Sequence, residues 1–263
     1  MARATVSMSD PPTRRALAAH LLAVADDEFL LGHRHAEWTG FGPDIESDVA
    51  LSSIAQEEMG HARLFYQQTL ALAGRGEGEV DALAYGRPPG EFLNAVLVER
   101  PNGDWGFSIL RLVLYDLADE VRLQVWARSS LDVVPDLART LGREEKYHRR
   151  YGEAWLARLA GATPESHGRV QAALDAVWPE ARGLFEPVEG EEGLAEAGLL
   201  AERTTAQAAQ WEERVRALVH PLGLRLPDVS PTLGGRRGLH SPDLTALLEE
   251  MTSVWRSDPG ATW

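Results

Sequence analysis

The chain has 263 residues, 44% of them hydrophobic and 25% charged, with no cysteine and a formal net charge of −14. That length buries a substantial core, whether as one large domain or two small ones. The acidic balance argues against nucleic acid or an anionic membrane surface as a partner, and the missing thiols exclude disulfides, a cysteine-held Fe–S cluster and a cysteine nucleophile.

In chain order, nearly everything reads as helix. Residues 1–10 read as a disordered N-terminus without the apolar core of a signal peptide. Pro11-Pro12-Thr13 open a helix reaching about Trp38, and Gly40, Gly42 and Pro43 break it. Asp44 caps a second helix ending near Gly74. A loop-rich connection of some thirty residues follows, with a short helix over Glu91 to Glu99. Gly74-Arg75-Gly76-Glu77-Gly78 follows a helix rather than a strand and reads as a plain loop, not a flavin or nicotinamide site. A third helix is expected to run to about Leu131, Asp132 to Pro135 to turn, and a fourth helix to run from Pro135 to about Leu159.

Beyond Gly161, Thr163-Pro164-Glu165 open a helix stopping near Trp178-Pro179. Glu186 to Gly193 reads as an acidic, solvated loop. One helix is expected over Leu194 to Val219, coil over Leu222 to Gly238, and a last helix from Leu244 to Trp255. No period-two alternation supports a sheet, and no apolar run reaches membrane-spanning length. The expected fold is all-α, a ferritin-like four-helix bundle with additional C-terminal helices. It forms a single domain over 11–263, with the bundle at about 11–161 and the extension at about 162–263. A cytoplasmic location is the default.

Two motifs organise this pattern: Glu58-Met59-Gly60-His61 and Glu145-Lys146-Tyr147-His148. A helix turns in 3.6 residues, so Glu and His three apart leave one face. Glu28 precedes Glu58 by 30 residues and Asp116 precedes Glu145 by 29, so one unit occurs twice: an acid, a turn, then Glu-x-x-His. The acids sit on apolar stripes, such as Leu21, Val24, Glu28, Leu31 and Leu137, Leu141, Glu145, His148. A buried carboxylate costs several kcal/mol, about 3–5 when left unpaired, unless a cation, proton or donor compensates it. Two solutions stay open: a di-iron or di-manganese pair held by Glu28, Glu58, His61, Asp116, Glu145 and His148, or a polar network with arginine or lysine. Glu120 is the alternative carboxylate on the third helix and Glu57 the alternative frame on the second. His33 and His35 lie off or at the end of the Glu28 stripe, so structural or supporting roles are expected. Trp126 and Trp155 read as core, whereas Trp38 and Trp105 fall at helix edges where they could line an interface with another chain.

Other residues carry a resemblance. Gly32-His33-Arg34, Glu37-Trp38, Gly42-Pro43 with Asp48, Gly60-His61-Ala62-Arg63 and Glu144 to His148 are part of it. So are Gly235-Arg236-Arg237-Gly238-Leu239-His240, Leu247 to Met251 and Pro259 to Trp263. On these the chain resembles the C-type family of the bacterial phenylacetyl-CoA 1,2-epoxidases, the ring-oxygenase complexes of phenylacetate degradation. The C-terminal motifs are the most specific, because no metal site demands them. The resemblance implies a ferritin-like subunit of an NADPH-dependent monooxygenase complex. It is expected to act mainly as structural partner of a homologous catalytic di-iron A-type subunit, with a separate reductase and phenylacetyl-CoA as substrate of the complex. The alternative role is a di-iron oxygenase subunit in its own right; a ferroxidase is the least favoured. A homodimer is expected when the chain is alone. In that family the metal ligands of the C-type chain are usually degraded. This chain departs from that, because all six candidate positions keep ligand chemistry.

Overall fold

The computed structural model describes residues 10–130 and 133–258. Among them no strand occurs, and the fold is all-α. The helices are α1 Pro11–Ala36, α2 Ile45–Leu72, α3 Val80–Tyr85, α4 Val96–Glu99, α5 Trp105–Trp126, α6 Val133–Ala162, α7 Pro164–Ala181, α8 Glu191–Glu196, α9 Thr204–Val219, α10 Pro242–Met251 and α11 Ser253–Ser257. The expectations for residues 1–9, 131–132 and the terminal motif at 259–263 lie outside the described residues; of the turn expected over Asp132 to Pro135, residues 133–135 are helical and open α6. No described helix is long and apolar enough to cross a membrane.

Several expected boundaries change. The connection after α2 is not a solvent loop: it carries α3 and α4, and Phe92, Asn94, Ala95, Leu97 and Val98 are buried. The third helix ends at Trp126, where Ala127 closes it by donating to Leu123 and Val125 carbonyls. α7 continues through Pro179 to Ala181. The helix expected over Leu194 to Val219 is two. Gly198 adopts φ +73, which ends α8, turns Leu199 and Leu200 into the core and gives its carbonyl to Ser130 N–H at 3.1 Å. The last helix likewise breaks at Thr252, whose hydroxyl donates to the Leu248 carbonyl at 2.6 Å.

The described chain divides into two compact units. One comprises Arg14–Pro101 with the chain from Leu233 onward; the other comprises Asn102–Thr232 with the chain up to Thr13.

In the first unit α1 and α2 approach closely at Gly32. A Cβ there would stand 3.1 Å from the Ala55 carbonyl oxygen and 3.2 Å from Glu58 Cβ. Three buried acids then tie α1, the 87–99 segment and the C-terminal chain together. Asp26 accepts from the Arg87 guanidinium, the Tyr66 hydroxyl at 2.8 Å and Leu93 N–H at 2.8 Å. Burial first, then the neighbouring Asp26 carboxylate, hold the Tyr66 phenol well above its ordinary pKa. Asp27 takes Arg236 in a two-pronged pair, at 2.9 and 2.6 Å, plus Ala95 N–H at 2.7 Å. Glu99 accepts from Ser241 N–H and hydroxyl at 2.8 and 2.6 Å and from Asn94 at 3.0 Å, with His240 Nδ1 at 2.7 Å.

The pair of glycines in the C-terminal motif is explained by this packing. A Cβ on Gly235 would lie 2.2 Å from the Asn94 carbonyl oxygen, and one on Gly238 would lie 2.4 Å from that of Gly90. Only hydrogen fits at either position, so the backbones touch and Arg236 and His240 reach inward.

His240 also predicts a pH dependence. Burial works against its charged form, but the hydrogen bonds to Glu99 and the Phe92 carbonyl outweigh burial and raise its pKa above the ordinary 6.5. A raised pKa gives stability that is fully present below pH 6.5 and is lost as pH rises through the folded value. The urea midpoint is therefore expected to fall above pH 6.5 more steeply in the wild type than in His240→Gln. Parallel curves would count against a charged His240.

In the second unit α5 packs on α6, α7 and α9. Asp104 caps α5 by accepting from Phe107 N–H at 2.9 Å, and Thr163 caps α7 by accepting from Ser166 N–H at 3.0 Å. Asp119 and Arg122 form a buried pair at 2.5 Å, with Arg122 also donating to the Leu184 carbonyl at 3.2 Å. Gly152 on α6 seats against α5, where a Cβ would be 2.8 Å from a Val113 methyl.

Candidate metal centre

In the first unit α1 supplies Glu28, and α2 supplies Glu58 and His61. Asp44 fixes where α2 begins, by accepting from Ser47 N–H at 2.7 Å. Fourteen residues later Glu58 and, three further, His61 leave one face of the helix. Gly32, one turn after Glu28, lets that face come close to α1. Glu28 and Glu58 have no exposed surface and His61 has 2%. Each of the three brings a donor atom within 4.8 Å of the others. Glu28 Oε2 stands 3.6 Å from His61 Nδ1. That is too long for a direct hydrogen bond. It fits two ligands of one ion, since donors about 2.1 Å from a metal lie roughly 3–3.6 Å apart.

The second unit brings a like set of side chains from α5 and α6. Asp116 on α5 and His148 on α6 are fully buried, and Glu145 is 4% exposed. Asp116 and His148 bring donor atoms within 4.8 Å. Glu145 Oε1 and His148 Nδ1 are again 3.6 Å apart. Glu145 also lines a cavity of about 400 Å³, with Leu123, Gln124, Gly142 and Lys146 among the other walls. The alternative acid, Glu120, is engaged elsewhere: Arg214 lies 2.9 Å and Arg149 3.6 Å from its Oε2, and its side chain is a third exposed.

Buried carboxylates and imidazoles of this kind could bind a metal. Hard oxygen donors with imidazole nitrogen suit iron or manganese, and the absence of thiolate removes the soft-metal alternatives.

Of the other candidates, His33 packs edge-on against Phe29 and Tyr85, with centroids 5.1 and 6.4 Å away. Burial first, and Arg34 second, lower its pKa to about 4, so it is a neutral ring at pH 7. His35 is fully buried. Trp126 is core, and Trp155 meets Trp105 edge-on at 5.5 Å.

Sequence reasoning missed Asp26, Asp27 and Glu99. A signal was present: Asp26-Asp27-Glu28 are three consecutive acids in an apolar run, and no single helix face can hold all three.

The family described as Phenylacetic acid catabolic protein matches residues 2–263. The chain is 35% identical over 251 residues to the C subunit of the 1,2-phenylacetyl-CoA epoxidase of Escherichia coli (strain K12), covering 94% of this chain and 99% of that relative.

Proposed function

The chain belongs to the phenylacetic acid catabolic protein family, and from that premise we propose that it is the C-type subunit of a multicomponent phenylacetyl-CoA epoxidase. Its main work is to support a homologous A-type catalytic subunit, in the cytoplasm. The observation that carries this reading is similarity to a C-type chain along nearly the full length of both proteins. It includes the segment around Arg236 and His240, which a metal-binding bundle alone would not require. The chain lacks cysteine and so holds no cysteine-ligated Fe–S cluster; on this reading a separate NADPH-dependent reductase would supply the complex with electrons.

Co-expression with a homologous A-type subunit is expected to give one co-eluting species on size exclusion at micromolar concentration, with an interface of about 2,000 Å² or more. Separate elution of the two chains at that concentration would overturn the partner-subunit reading.

A second reading concerns the metal. We propose that Glu28, Glu58 and His61 in one unit, and Asp116, Glu145 and His148 in the other, are ligands for iron or manganese. Each unit would offer its carboxylates and one imidazole as ligands. The donor chemistry supports it, as do two carboxylate–imidazole approaches of 3.6 Å, Glu28 to His61 between helices and Glu145 to His148 within α6. When bound, such a metal would supply the capacity to activate oxygen. The chain's own part is to orient both imidazoles and to exclude water by burial.

A further inference from the structure

We propose that Arg236 is a positioning residue for Glu28, and so for the metal centre; the inference rests on the metal-centre reading.

Asp27 and Glu28 are neighbours on α1, so their side chains point about 100° apart around the helix axis. Whatever fixes Asp27 fixes the direction in which Glu28 leaves α1. Asp27 is held at both oxygens. Arg236 Nη1 donates to Oδ1 at 2.9 Å and Nη2 to Oδ2 at 2.6 Å, and Ala95 N–H shares Oδ1 at 2.7 Å. Nη1 also reaches the α1 backbone at the Ala23 carbonyl, 3.0 Å away, and the Leu93 carbonyl at 2.8 Å. One guanidinium thus grips α1 at two points a turn apart and ties them to the 93–95 segment.

Asp27 is fully buried and Arg236 is 5% exposed, so water does not compete for these bonds. A planar fork sets both distance and angle, which a point-charge ammonium cannot do. Asp26 is fastened to Arg87 in the same way, about 100° from Asp27 on the side away from Glu28. Two fastened neighbours leave α1 neither rotation nor slide. The 3.6 Å approach of Glu28 to His61 is therefore set by how α1 is held. The glycines flanking this segment belong to the same device, because Gly235 brings Arg236 to within reach of Asp27.

The test uses Co²⁺ as probe on the full chain, read by its visible absorption. Wild type is expected to bind Co²⁺. Arg236→Lys keeps the charge but loses the fork. It is expected to keep its helical circular dichroism while its Co²⁺ affinity falls on the order of 10-fold and its absorption band changes shape. A control separates position from mere stability. Leu174→Ala, in the core of the other unit, is expected to melt lower yet bind Co²⁺ as wild type does. If Arg236→Lys does not fold, Asp27→Asn, which keeps Oδ1 for Ala95 and Arg236, takes its place with the same expectation. Wild-type affinity and band shape in the folded variant would overturn the positioning role and leave the metal reading standing. A wild-type chain that takes up no Co²⁺ would overturn both.

Discussion

Trp211→Ala is expected to lower the unfolding free energy by about 3–5 kcal/mol. Trp211 has no exposed surface. It stacks on Trp178 of α7 with centroids 5.1 Å apart and planes 14° from parallel, and Phe185 leans on it at 5.6 Å. Its ring N–H donates to the Leu114 carbonyl of α5 at 2.9 Å. One side chain therefore joins α5, α7 and α9. Truncation leaves a cavity that three helices cannot close together, and it removes the aromatic pair, worth about 0.5–1.5 kcal/mol beyond area. In a chain of this size roughly 2–4 °C follows each kcal/mol, so the melting temperature should fall on the order of 10 °C. Trp211→Phe, which keeps part of the stacking but loses the donor and some buried volume, should cost less than Trp211→Ala, about 1–3 kcal/mol. Melting of Trp211→Ala within about 2 °C of wild type would mean that this stack does not organise the unit.

Glu145→Ala is expected to abolish binding of Fe²⁺ or Mn²⁺ under anaerobic titration, read by elemental analysis after desalting. The same variant should respond oppositely in the two metal states. With metal at about 100-fold over its dissociation constant, wild type gains about 2.7 kcal/mol that the variant cannot. Without metal, the substitution removes a carboxylate whose burial is costly, so the variant should melt at or above the wild-type temperature. A variant that retains its full complement of metal would refute the proposed ligand.

Much of this architecture is legible in the sequence because it rests on local periodicity. The 30- and 29-residue spacings, the Glu-x-x-His pairs and the Asp44 cap all express the helix repeat. What stays illegible depends on partners far away in sequence. Asp26 finds Arg87 at a separation of 61 residues, and Asp27 finds Arg236 at 209. Nothing local tells a fastened aspartate from a ligand beside it. Asp116 and Glu120 pose a related ambiguity. α5 is buried on nearly every side, so its apolar stripe is too broad to assign one acid inward and the other outward. The structure separates them by neighbours: Glu120 meets two arginines near the surface.

The fastening of Asp27 by Arg236 also has a temporal side. The stretch Asn102–Thr232, which makes up nearly all of one unit, is continuous in the chain. Its core contacts, including Trp211 on Trp178, are available as soon as that stretch has been synthesised. The other unit begins at Arg14 but cannot close its grip on α1 until Arg236 exists, 209 residues after Asp27. Through that interval Asp26 and Asp27 have only part of their final surroundings. Loop-closure entropy grows as about (3/2)RT ln n, so the late contact is the slow one. The half of the molecule that is made first is thus the half that finishes last.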